Sequence, residues 1–231
     1  MLSTYLFSIG ILPPNSFNGD VFFIVDSSGS VSKKNYQLEK EFVKSVAKEF
    51  NVAPGKSRAA FLTYGSFPWL VKRFESHSLP GEFESVVDRT SAIGGPRRID
   101  KTLEVSAREF LNARPKIPKI AIIMTGGKQV ADLLVEPLNS AIQPLRRLGV
   151  KTYVVAIGNT SDVRELNALV ERPQDIFLQK SFSTLRPKDI VKKIINKHCK
   201  YLLTIFKVNT ISRISNYWRK LKSGQNNYSS S

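Results

Sequence analysis

Apolar runs alternate with amphipathic segments along most of this chain, and that alternation is the first thing it shows. Val21 to Val25 is an unbroken apolar run that stops at Asp26; Ile120 to Met124 is a second, and Thr152 to Ile157 a third. Runs of this length without a polar alternate predict strands buried on both faces. Between them lie segments with three- and four-residue apolar spacing. The spacing predicts helices over Lys33–Phe50, with Tyr36, Leu38, Phe42, Val43, Val46 and Phe50 inward, and over Ile99–Leu111, with Ile99, Leu103, Val105, Ala107 and Phe110 inward. Further helices are expected over Gly81–Val87, Leu133–Leu148, Ser161–Val170 (capped by Ser161) and Pro187–His198. Pro137 suits a first turn, so the Leu133–Leu148 helix is expected to start near Glu136. Ser57–Tyr64 and Ile176–Leu178 read as strands, and Pro68–Phe74 as an edge strand.

Strands that alternate with helices predict an α/β fold: a Rossmann-like, mostly parallel central sheet with helices on both faces. Ligands on such sheets sit at the carboxyl ends of the strands. Three apolar strands end there in small or acidic loops, Asp26–Ser30, Gly126-Gly127 and Gly158-Asn159.

Asp26-Ser27-Ser28-Gly29-Ser30 is the segment that carries chemistry. A carboxylate at the end of a buried strand needs a partner, because an isolated buried charge is costly. Hydroxyls two and four residues later can converge with it in a loop that Gly29 permits, and hard oxygens of this kind suit Mg²⁺ or another divalent cation. Asp26, Ser28 and Ser30 are therefore the candidate metal ligands.

From Val21 to Ser30 the chain resembles the opening strand and metal-ion-dependent adhesion site of von Willebrand factor A domains. The resemblance continues through Phe61–Tyr64, Phe74–Val87, Ile93–Leu103, Ile120–Lys128 and Leu148–Gly158, in family order. It covers about residues 20–197 and is most similar to matrix A domains of the collagen VI and matrilin type, cnidarian matrix forms included. The resemblance implies a non-enzymatic module that binds proteins with the help of a divalent metal. It also exposes two departures. Where the family's second loop offers a Thr, this chain has Pro96 or Arg97, and where the third loop reads Thr-Asp-Gly, this chain reads Thr125-Gly126-Gly127. One carboxylate and two hydroxyls make a weak site, and Arg97 is positioned by sequence to replace the metal with an ion pair to Asp26. Two expectations about cofactors follow: a weakly held divalent cation, or none.

Charge widens the set of partners. The net charge is +16, and residues 196–231 hold seven basic side chains and no acidic ones. Such a surface attracts polyanions. Arg97, Arg98, Arg146, Arg147 and Lys220 are the candidate polyanion contacts, against a reading of the arginine pairs as solvated faces. Expected partners are extracellular matrix proteins or acidic polymers, among them sulfated glycans and an acidic mineralising matrix; nucleic acid is not favoured. Three placements stay open: a secreted matrix adhesion module, a metal-independent basic scaffold, and an intracellular (cytoplasmic) A domain in a larger complex.

Residues 1–19 read as a candidate partial signal peptide and extension, with an apolar Met1–Leu12 but no preceding basic residue. Residues 198–231 read as a basic, flexible tail, and no stretch is long and apolar enough for a transmembrane helix. Asn159-Thr160-Ser161 is a candidate glycosylation acceptor in a secreted chain. The single Cys199 excludes an internal disulfide and leaves oligomeric state open. One Cys and two His exclude a zinc site of the usual composition, and no nucleophile elbow or phosphate loop is present.

Overall fold

The computed structural model describes residues 17–74, 79, 81–158 and 162–195. The chain divides into two compact units at Val191, and the first contains nearly all of the described residues. The calls on the leader, on Asn159, on Cys199 and on Lys220 in the basic tail lie outside the described residues.

Six strands form one sheet: β1 (Asp20–Asp26), β2 (Arg58–Tyr64), β3 (Pro68–Lys72), β4 (Lys119–Thr125), β5 (Lys151–Ile157) and β6 (Ile176–Gln179). Their order is β3-β2-β1-β4-β5-β6. Every neighbouring pair is parallel except β2 with β3. The expected mostly parallel α/β sheet is what forms. β1 is central, and all seven of its residues are buried, as an apolar run between two helical layers requires.

The two faces of β1 feed two cores. Phe22 and Ile24 join Leu62, Tyr64, Leu103, Phe110, Ile123 and Leu145 on one side. This side is covered by α3 (Ile99–Glu109), α4 (Leu138–Ala141), α5 (Gln143–Arg147) and α6 (Val163–Leu169). On the other, Phe23 and Phe61 meet Phe83 with ring centroids 5.6 and 6.4 Å apart. Phe83 belongs to α2 (Glu82–Asp88), which lies beside α1 (Lys33–Glu49). A further helix, α7, begins at residue 187 and buries Ile190 and Val191.

Several expected elements differ in extent. The helix expected over Leu133–Leu148 is two short pieces, α4 and α5, and Leu133 and Leu134 are exposed in the loop before them. That loop is held by other bonds. Glu136 N donates to Asp100 Oδ2 at 3.3 Å, Arg98 Nη2 to Leu134 O at 3.4 Å, and Gln129 Nε2 to Glu136 O at 3.1 Å. Pro137 cannot donate a helical bond, so the helix starts after it. The α6 cap is Asp162, whose side chain accepts from Arg164 N. In α1, Leu38 is only half-buried and Glu39 and Lys40 are buried in its place.

The amino end of β1 is fixed by an ion-pair cluster. Asp20 accepts from Arg58 Nη2 at 2.7 Å, Arg58 Nε at 3.1 Å, Arg114 N at 2.7 Å and Arg114 Nε at 2.8 Å. Burial acts to raise the Asp20 pKa, but these donors outweigh it and hold the carboxyl below the ordinary range.

Candidate functional site

Three loops gather around Asp26 at the carboxyl ends of the parallel strands. The first is seated on β2. Ser27 N donates to Tyr64 O at 2.7 Å, and Thr63 Oγ1 donates to Ser27 Oγ at 2.8 Å. The Tyr36 hydroxyl of α1 lies 3.0 Å from Thr63 Oγ1 and 3.1 Å from Thr90 Oγ1. The second loop crosses over the first: Gly94 N donates to Ser27 O and Gly29 N to Gly95 O, each at 2.8 Å. Gly94 and Gly95 have φ of +78° and +72°, which a residue with a Cβ adopts only under strain. The Gly-Gly step brings Arg97 to Asp26.

Arg97 fills the centre. Its Nε donates to Asp26 Oδ2 at 2.5 Å, its Nη2 to Ser30 Oγ at 2.6 Å and its Nη1 to Lys128 O at 2.9 Å. Asp26 also accepts from Ser28 N at 2.9 Å and Gly126 N at 3.0 Å, and the Ser28 and Ser30 hydroxyls lie 3.2 Å apart. The Asp26 side chain is fully buried and that of Arg97 is 10% exposed. The three sequence-predicted ligands are thus together, with a guanidinium bound to two of them. A divalent cation needs roughly 2.0–2.6 Å to its oxygens. It does not fit against Asp26 Oδ2 or Ser30 while Arg97 Nε and Nη2 hold those atoms. Among the described residues, no group of three or more His, Cys, Asp or Glu could hold a metal.

Gly126 makes room for this arrangement. A Cβ at that position would lie 3.6 Å from Arg97 Nη2 and 3.8 Å from Asp26 Oδ2. A carboxylate on the third loop would therefore enter the space the guanidinium occupies.

Pattern reading overlooked one buried charged residue. Glu39 is completely buried on α1, and neither of its carboxyl oxygens has a hydrogen-bond partner. Burial above all, and the negative charge of Asp26, push its pKa well above the ordinary range, while Arg97 acts the other way. The helical spacing held the signal: three residues after Tyr36 comes 39, on the face that meets the sheet. Its near neighbour Lys40 is buried but satisfied, with Nζ 3.0 Å from Asp88 O and 3.1 Å from Thr90 O.

The candidate polyanion contacts are not brought together. Arg97 and Arg98 lie at the carboxyl ends of the strands, whereas Arg146 and Arg147 close α5 near the amino end of β5. Arg98 is engaged with both Asp100 oxygens, at 2.9 and 2.7 Å. Arg146 Nη2 donates to Ala168 O at 2.9 Å and Val170 O at 3.1 Å, which makes it a clamp between α5 and α6. Arg147 is exposed. Lys33 and Lys34 are exposed at the start of α1, and Lys128, whose carbonyl Arg97 holds, pairs with Asp162 as Arg164 does.

Known proteins place this arrangement in a family. The family model described as von Willebrand factor type A domain matches residues 20–193. Bovine (Bos taurus) von Willebrand factor A domain-containing protein 1 is 27% identical over 168 residues, covering 71% of this chain and 39% of that protein. Cuticlin-6 of Caenorhabditis elegans is 28% identical over 167 residues, 72% of this chain and 28% of that protein. The mouse (Mus musculus) collagen alpha-4(VI) chain is 26% identical, over 78% of this chain and 7% of that one. The chain thus spans well under half the length of these relatives. Among solved structures, proximal thread matrix protein 1 from the mussel byssus superposes with a TM-score of 0.71 at 22% identity, over 80% of this chain and 49% of that one. A further structure of that mussel protein is described as having a zinc-occupied MIDAS motif. Matched over three quarters of its length, and with the sheet and loop arrangement described above, the chain belongs to the von Willebrand factor type A domain family.

Proposed function

We propose that this chain is a non-enzymatic, secreted matrix module that binds acidic partner proteins at the carboxyl ends of its strands, without a divalent cation. The observation that carries the reading is Arg97, seated on Asp26 and Ser30 where a cation would sit. A guanidinium is permanently charged and has five N–H donors. Three donors are used by Asp26, Ser30 and Lys128, which leaves two for an incoming carboxylate. Exposed Lys33 and Lys34 stand at the start of α1, three and four residues after Ser30, and add positive charge there, as does the partial charge of a helix N-terminus. Collagen and cuticlin relatives support the matrix setting.

Binding of the full chain to an immobilised poly-aspartate peptide tests the reading. Equal binding in EDTA and in Mg²⁺, lost in Arg97→Gln, is expected; binding that requires Mg²⁺ overturns it. The net charge of +16 favours a second reading, a basic scaffold for sulfated glycans. In that case heparin binding falls steeply with salt and survives Arg97→Gln.

A further inference from the structure

The amino ends of the strands carry a second charged assembly, at the opposite end of the sheet from Arg97. Asp20 opens β1, and its register partners are Arg58 on β2 and Lys119 on β4. Neighbouring strands lie about 4.8 Å apart, so the three positions span about 10 Å of the sheet's amino edge. They share the alternation of Phe22, Ala60 and Ala121, which belong to the core under α3. In this assembly the acids lie beneath and the cations above. The side chains of Asp20 and Glu109 are fully buried, whereas Arg58, Arg114 and Arg73, which pair with them, are 29, 27 and 62% exposed. Asn112 links the two acids' clusters: its carbonyl accepts from Arg58 Nη2 at 3.1 Å, and its Nδ2 donates to Glu109 Oε2 at 3.4 Å.

Asp20 engages Nε and Nη2 of both Arg58 and Arg114. The Nη1 of each guanidinium has no partner among the described residues. Lys116 and Lys119 extend the row. No acidic residue occurs between Glu109 and Asp132, and neither lysine pairs with an acid among the described residues. Lys116 is exposed at a φ of +62°, which glycine adopts at no steric cost, so an exposed lysine is held there against backbone strain.

We infer that this edge is a binding site for a sulfated glycan chain, held by Arg58, Arg114, Lys116 and Lys119. A sulfated glycan is a linear array of anions, which a row of outward cations over buried acids complements. The two guanidiniums are already fixed by Asp20, and their free N–H groups suit sulfate oxygens. The inference rests on the basic-scaffold reading above and gives it a location. A nucleic acid would find no stacking platform here: Phe74 and Phe110 are buried, and exposed Phe67 and Trp69 lie by the carboxyl end of β2.

The test is acetylation of the full chain, read lysine by lysine by mass spectrometry, with and without a heparin oligosaccharide. Lys116 and Lys119 should be shielded severalfold more than Lys33 and Lys34, and fully desulfated heparin should shield none of them. Equal shielding of the two pairs overturns the proposal, as does equal shielding by the desulfated glycan. Lys116→Ser/Lys119→Ser keeps every donor to Asp20, so its urea midpoint should not change. It should leave heparin-agarose at lower salt than Lys33→Ser/Lys34→Ser, which loses the same charge at the other end; elution of both at one salt concentration overturns the proposal. Phosphatidylserine vesicles or single-stranded DNA that shield Lys116 and Lys119 as strongly as heparin overturn the assignment to a glycan. Heparin binding that leaves these two lysines unshielded overturns the site alone, whereas no heparin binding ends the basic-scaffold reading with it. Poly-aspartate binding through Arg97 is a separate readout.

Discussion

β1 begins and ends on a buried aspartate, and the two ends are built on opposite plans. Asp20 is saturated: two arginines and a backbone amide approach it from β2 and from the segment before β4. Asp26 is held by one arginine from the Gly-Gly loop and by two backbone amides. Both side chains are fully buried. The difference shows that burial of a charge does not reveal its purpose; the state of its surroundings does. A complete donor shell marks a fastening, whereas a single guanidinium set on a carboxylate at a loop crossing marks a place open to a partner.

Mutations at the two ends should separate these roles. The largest effect is expected from Asp20→Ala, which strands Arg58 and Arg114. It should lower unfolding free energy by about 3–5 kcal/mol in urea titration and leave poly-aspartate affinity of the folded fraction unchanged. Arg97→Gln should have the reverse profile. Binding is lost, while stability falls by about 1–3 kcal/mol, because Ser28 N and Gly126 N still serve Asp26. If both variants lose stability alike and neither affects binding, the contrast between the ends fails.

Glu39→Leu carries the opposite sign. Removing two unpartnered oxygens from the core should raise stability by about 1–3 kcal/mol, read as a higher urea midpoint at unchanged slope. The pH dependence sharpens the same point. Glu39 has a raised pKa when folded, so the folded state binds its proton more tightly. Its contribution is therefore fully present below the ordinary carboxylate pKa and is lost as pH rises toward the folded value. Asp20 has a lowered pKa, so its contribution is present above the ordinary value and is lost as pH falls through the folded one. The unaltered chain should lose stability from mildly acidic toward neutral pH, and Glu39→Gln should flatten that limb without touching the acid limb. The smallest effect belongs to Lys33→Glu/Lys34→Glu, which should slow association with poly-aspartate severalfold at low salt and have little effect at high salt.

Much of the fold was legible because β1, β4 and β5 are buried on both faces and so appear as unbroken apolar runs. The position of Arg97 near Asp26 was also foreseeable, since the second loop lacks its hydroxyl and the third its carboxylate. Other features depended on contacts that no local pattern carries. Leu133 and Leu134 look like core helix residues, yet Asp100, Arg98 and Gln129 bind their backbone neighbourhood into a loop instead. Glu39 was hidden because counting apolar positions passes over a polar residue at the same helical phase. Arg146 resembled a surface pair with Arg147 until its bonds to the carbonyls of 168 and 170 were seen.

The register of β1 has a mechanical consequence. It runs parallel to β2 from Asp20 to Asp26 and to β4 from Asp20 to Ile24. A tensile load applied to the chain just before Asp20 would act along the strand axis, across both ladders at once. The bonds would then be sheared together rather than unzipped in succession. Arg58 and Arg114 grip the strand at the very point where such a pull enters. A central parallel strand clamped at its point of entry is a poor place for a module to start yielding under force.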